Sequence, residues 1–218
     1  SGEHSKPIGG MSSPNQAIMD ACQYRLDNLA KPIHSLGYLE RIAVQLAGTM
    51  HCECPPLDAK AALLLITEEE DLPSDLAGIL NALTETASIP IHTLTQSCAA
   101  ASNAGAYETA QDFACTYPIL ILGTYEIEKS TAVAAALREM LRGAATARSL
   151  ILPGDERTDC IVRTAEKEMP AIHPYLLHVL PDMLTVDSAF VAGIAGILGM
   201  DIVRAALHIV NDMKTFAE

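Results

Sequence analysis

Three places in this 218-residue chain combine residue types that could do chemistry. The first is an acidic run, Glu68-Glu69-Glu70-Asp71, just after an apolar stretch at residues 61–66. Crowded carboxylates can hold a cation, or raise the pKa of one member until it serves as an acid or base. The plainer alternative is a solvated loop whose acids favour the start of the next helix. The second place is Gly123-Thr124-Tyr125-Glu126-Ile127-Glu128-Lys129-Ser130-Thr131, between an apolar run and a helical pattern. Helix N-termini receive phosphate through free N–H groups and the dipole. That makes Gly123, Thr124, Tyr125, Glu126, Ser130 and Thr131 the candidate ligand-binding set. The loop is not glycine-rich, however, and Glu126 and Glu128 stand beside the anion position, so a strand-to-helix turn with a Ser or Thr cap is the simpler reading. The third place, His51-Cys52-Glu53-Cys54, is half of a metal site without the second Cys or His pair that zinc requires. No metal and no cofactor are therefore expected. A Ser-His-Asp order, a P-loop and a GxGxxG are all absent from the sequence.

The elements that must position these residues follow from the apolar spacing. Ile18, Cys22, Leu26 and Leu29 recur at helical intervals, and Lys31-Pro32 should stop that helix. Ser35 is a candidate N-cap for a second helix with Leu39, Ile42, Ala43 and Leu46 on one face and Gly48 as its stop. Residues 61–66, 89–94, 118–122 and 149–152 are short apolar runs, with helical patterns at 75–83 and at Val133, Ala136, Leu137, Met140 and Leu141, ended by Gly143. Such alternation predicts an α/β fold: a parallel sheet of about four strands, flanked by helices and buried on both faces. Residues 157–168 read as a helix charged on one side, and residues 188–216 as a long apolar pattern weakened by Gly193, Gly196 and Gly199. The expected organisation is an arm or tag remnant at 1–11, a helical segment at 12–56, a sheet domain at 57–180, and a helical segment at 181–218 that packs with 12–56. In an open parallel sheet the ligand lies beyond the carboxyl ends of the strands. The acidic run and the Gly123–Thr131 stretch both fall there.

Composition narrows the partners. Fourteen Lys and Arg against 27 Asp and Glu give a net charge of −13, which argues against nucleic acid and anionic membranes. The longest apolar run, residues 189–200, is too short to span a bilayer, and the first ten residues hold no apolar stretch of a signal peptide. Six scattered cysteines suit reduced thiols in a cytoplasmic protein.

Residues 25–48, RLDNLAKPIHSLGYLERIAVQLAG, carry a recognisable pattern. They resemble the amino-terminal signature of the nicotinate-nucleotide–dimethylbenzimidazole phosphoribosyltransferases, whose core is Lys-Pro-x-Gly-Ser-Leu-Gly-x-Leu-Glu; here His34 replaces the first glycine. Residues 130–137, 170–177 and 204–218 resemble further family segments in the same order. The resemblance implies a sheet domain with a small helical domain built from both chain ends, and a homodimer; pairing with a full-length homologue is the alternative expected partner. It also implies transfer of ribose 5-phosphate from nicotinate mononucleotide to a benzimidazole, on the route to cobamide lower ligands. Members of the family are longer than this chain, with the extra length in the middle. Near the carboxyl end the family carries Gly-Glu-Gly-Thr-Gly, whose glutamate is the catalytic base. Counting back from Asn211, Val191-Ala192-Gly193-Ile194-Ala195 stands there, with Ala192 at or near the glutamate position. Neither Asp187 nor Asp201 lies in a glycine loop. Glu69 and Glu126 are the candidate replacements as base. The expectation is a divergent member lacking the family's glutamate and phosphate loops, or a non-catalytic relative that binds a ligand and regulates a full-length homologue.

Overall fold

A computed structural model describes residues 13–68, 71–95, 104–125, 131–178 and 192–218. Four parallel strands, β1 (Ala61–Thr67), β2 (Ile91–Thr95), β3 (Ile119–Tyr125) and β4 (Leu150–Pro153), form one sheet in the order β2-β1-β3-β4. Strands β1 and β4 are buried along their whole length. Alternate residues of β1 serve opposite cores: Ala62, Leu64 and Ile66 face one, Ala61, Leu63 and Leu65 the other. This is why the strands read as unbroken apolar runs instead of alternating ones.

Among the described residues, seven α-helices surround the sheet: α1 (Gln16–Asp27), α2 (Tyr38–Met50), α3 (Ser74–Ala87), α4 (Ala104–Thr116), α5 (Thr131–Thr146), α6 (Glu156–Glu168) and α7 (Ile194–Asp212). Buried residues of α4, α5 and α6 pack on one face of the sheet, and those of α2, α3 and α7 on the other. A third cluster, with Cys22, Leu26, Ala43, Ala47 and Val210, joins α1 to α2 and to the end of α7. Helix α7 is long and apolar enough to cross a membrane by length and composition alone. Its Ile197, Met200, Val203 and Leu207 are instead buried against the sheet.

Several boundaries differ from the expectation. Helix α1 ends at Asp27, before Lys31-Pro32, with Asn28 as its C-cap. Ser35 is exposed in the turn and caps nothing; Gly37, with φ +51°, is the residue before α2. Gly48 and Gly143 do not stop their helices but lie inside them as contact points. A Cβ on Gly48 would come within 2.6 Å of Met19, and one on Gly143 within 2.3 Å of the Tyr107 carbonyl. Helix α7 begins at Ile194 and runs through Gly196 and Gly199 without a break.

The signature turn between α1 and α2 is held by charge. Lys31 Nζ meets Glu40 Oε1 at 2.5 Å, and both side chains are almost wholly buried. His34 sits in this turn with φ +57°, a left-handed backbone that glycine adopts without steric cost.

Candidate functional site

The strand order reverses between β1 and β3: from β1 the chain crosses to β2 on one side, then returns past it to β3. Ligand crevices in open α/β sheets form at such a switch, beyond the carboxyl ends. Thr67 and Tyr125 are paired across that junction, so Glu68 and Tyr125 stand at this edge. Glu68 and Tyr125 are half-buried, and Thr131 is the exposed first residue of α5. The structure thus brings the ends of both sequence candidates to one edge. Glu69, Glu70, Glu126 and Ser130 lie outside the described residues.

Gly123, Thr124 and Tyr125 belong to β3 and not to the loop after it. Their polar groups are largely committed to the protein. Thr124 donates its backbone N–H to Asp155 Oδ2 at 3.0 Å. Gly193 N–H donates to the same oxygen at 3.2 Å, and Thr158 N–H to Asp155 Oδ1 at 2.8 Å. Asp155 is 2% exposed and is the N-cap of α6. Burial pushes its carboxyl pKa up, against the pull of the Thr158, Thr124 and Gly193 amides. With its lone pairs taken by these donors, it is a knot tying β3, α6 and α7 together and is not a free base.

The start of α7 closes this knot from above. Ala192 N–H donates to the Thr124 carbonyl at 3.2 Å, and Ala192 is fully buried with φ +56°. A Cβ on Gly123 would fall 2.8 Å from Gly193 N, one on Gly154 2.6 Å from Gly193 Cα, and one on Gly196 2.7 Å from Gly154 Cα. Backbone therefore packs on backbone where the resemblance places a catalytic glutamate. No side chain from Ala192 to Met200 carries a proton acceptor beyond the Met200 sulfur. Asp201 is exposed and pairs with Arg204 at 3.2 Å. It lies about 10 Å along α7 from Ile194, the helix's first residue, at roughly 1.5 Å per residue. Asp187 is outside the described residues.

A second polar group at the same end of the sheet was not anticipated. Leu176 bridges Ile151 in parallel, and Leu177 N–H donates to the Ile151 carbonyl at 2.8 Å, which brings His178 level with the end of β4. His178 Nδ1 lies 3.0 Å from Asp159 Oδ1, and its Nε2 3.0 Å from Glu166 Oε2. Arg163 Nε donates to Asp159 Oδ2 at 2.7 Å, and His173 Nδ1 pairs with Glu166. Burial alone would lower the His178 pKa; the bonds to Asp159 and Glu166 outweigh it and the Arg163 charge, and hold it above the ordinary value. Burial would likewise raise Glu166, but its bonds to His173 and His178 hold it low. A histidine engaged by carboxylates at both nitrogens clamps α6 to the segment that leads toward α7. The sequence signals that could have found these groups are Asp155-x-x-Thr158, a capping pattern before a helix, and the i, i+7 spacing of Asp159 and Glu166 on one helical face.

His51, Cys52 and Cys54 do not converge as a ligand set among the described residues. His51 Nε2 faces Arg148 at 2.8 Å, and Cys52 Sγ donates to the Cys54 carbonyl. Burial pushes the Cys22 thiol up to about 12, so it is not a reactive thiolate.

A doubly wound parallel sheet with the amino-terminal helices and the last helix on one flank is the architecture of a phosphoribosyltransferase known from crystal structures. One, the nicotinate-nucleotide-dimethylbenzimidazole phosphoribosyltransferase of Thermus thermophilus, superposes with a TM-score of 0.70 and 15% identity, over 94% of this chain and 98% of that chain. A second structure, described as CobT from the same organism, gives 0.68 and 15%, over 93% and 98%. Residues 11–69 match the model of a family described as Phosphoribosyltransferase. A 70-residue stretch is 36% identical to the nicotinate-nucleotide–dimethylbenzimidazole phosphoribosyltransferase of Alkaliphilus metalliredigens (strain QYMF), covering 32% of this chain and 20% of that protein. The chain thus spans, by sequence, about a fifth of that curated relative's length. The amino-terminal segment resembles the nicotinate-nucleotide–dimethylbenzimidazole phosphoribosyltransferase family in sequence, and the chain shares its fold with the two crystal structures.

Proposed function

We propose that this chain is a divergent member of that family which takes up a nucleotide or its base at the carboxyl edge of β1 and β3, and which does not by itself transfer ribose 5-phosphate to a benzimidazole. The observation that carries this reading is Ala192. Deprotonating a benzimidazole needs a positioned base within hydrogen-bond reach, and the methyl group at this position is sealed under α7 with its amide bound to Thr124. The exposed Thr131 at the start of α5 and the half-buried Glu68 and Tyr125 support retention of a ligand edge. On this reading the chain works in the cytoplasm, paired with itself or with a full-length homologue that supplies the base. Calorimetric titration with nicotinate mononucleotide tests the ligand edge. Saturable binding weakened by Thr131→Asp is the expected result. No heat at any concentration would remove the ligand from the proposal and move the search to protein partners.

A further inference from the structure

The residue that departs from the family signature, His34, does not stand alone. Its Nδ1 lies 3.7 Å from Asp27 Oδ1 and 3.7 Å from Glu40 Oε2, and one ligand atom from each of the three residues falls within 4.8 Å of the other two. These separations are too long for hydrogen bonds. They come close to the roughly 3.3–3.6 Å that separates two donors each about 2.0–2.2 Å from one tetrahedral metal ion. We infer that Asp27, His34 and Glu40 form a binding site for a divalent transition-metal ion such as Zn2+, in the turn that joins α1 to α2.

The donor atoms are available. Glu40 is 96% buried at its side chain, yet only Oε1 is engaged, by Lys31 Nζ at 2.5 Å and by the Leu36 N–H. Its second oxygen accepts no hydrogen bond among the described residues and is turned to His34. Asp27 Oδ1 receives Gln23 Nε2 at 2.9 Å, which orients the carboxylate and leaves a second lone pair for an ion. Two carboxylates against the single Lys31 ammonium leave one negative charge, which a dication would more than offset. His34 is mostly exposed, so an ion enters directly from solvent and water completes its shell. Two carboxylates and an imidazole form a donor set for Zn2+, Co2+ or Mn2+, unlike the thiols at Cys52 and Cys54. A bound ion would pin the end of α1 to the start of α2.

The test uses the purified full chain with Zn2+ by calorimetry and Co2+ by absorption. The expected result is one saturable Zn2+ site, a rise in Tm on loading, and a Co2+ spectrum without thiolate charge-transfer bands. His34→Gly should weaken binding about tenfold or more, since it removes a direct ligand where even an outer-shell partner is worth that much. The variant should fold, because glycine accepts the backbone at φ +57°, and its metal-free Tm should match or exceed that of the parent. A Cys52→Ser/Cys54→Ser variant should bind as the parent does. Binding unchanged by His34→Gly, binding lost with the cysteines, or no saturable site would each overturn the inference.

Discussion

The turn between α1 and α2 and the carboxyl ends of β3 and β4 both bury a carboxylate, and they hold it in opposite ways. Glu40 is matched by the ammonium of Lys31, a full opposite charge at 2.5 Å. Asp155 faces no cation among its hydrogen-bond partners; three backbone amides and the Thr124 hydroxyl share its charge. The first arrangement keeps the family signature nearly intact. The second lies beside the segment where the resemblance places the family's catalytic loop. An ion pair can be kept while the residues around it change, because two side chains carry it. A carboxylate held by amides depends on backbone positions from three elements, and Gly123, Gly154 and Gly193 keep those backbones in contact. With α7 anchored in this way, any side chain at Ala192 is buried.

The sharpest way to break the comparison is to remove the cation from the first region. Lys31→Met should cost about 3–5 kcal/mol in urea unfolding, because Glu40 is left as an uncompensated buried charge. Asp155→Ala should cost less, about 2–4 kcal/mol. It strands the Thr124, Thr158 and Gly193 amides and removes the α6 cap, but it also removes a carboxylate that burial disfavours. If Asp155→Ala proved the costlier, the amide knot and not the ion pair would be the stronger tie. The smallest effect belongs to the clamp beside the knot. The folded His178 pKa is raised above 6.5, so its contribution is complete below that pH and fades as pH rises through the folded value. Glu166 is lowered from 4.5, so its contribution is complete above that value and fades as pH falls through the folded one. The stability difference between the parent and His178→Gln should therefore be largest between about pH 4.5 and 6.5 and shrink at higher pH. Chemical denaturation across pH 4 to 9 measures it, and a flat difference would remove the clamp from the account.

Much of the fold was legible because it rests on local signals. The runs at 61–66 and 149–152 fall within a residue or so of β1 and β4, since strands buried on both faces leave an uninterrupted apolar record. The end of β3 was hidden because Gly123 and Thr124 look like loop residues; the neighbouring strand and Asp155 make them strand. Helix α4 left little trace because its buried positions, Ala106, Ala110 and Ala114, are small. Gly48 and Gly143 imitate helix stops for the same kind of reason: their use is contact with a neighbour, which the local sequence does not record. At the site, the resemblance places the family's glutamate at or near Ala192, and the structure shows that residue fully buried with its amide bound to Thr124. Asp155 was passed over because its role exists only when β3, α6 and α7 meet.

On the function proposed above, this chain shares the fold of the phosphoribosyltransferase crystal structures and lacks a catalytic base at Ala192. The most direct measurement is a chromatographic assay for α-ribazole phosphate after incubating the purified chain with nicotinate mononucleotide and dimethylbenzimidazole. The account predicts no product above the enzyme-free control, and none gained by Ala192→Glu, whose side chain would be forced into a buried position. Product formed by the unmodified chain, and lost on mutating Glu69 or Glu126, would contradict it and identify a relocated base.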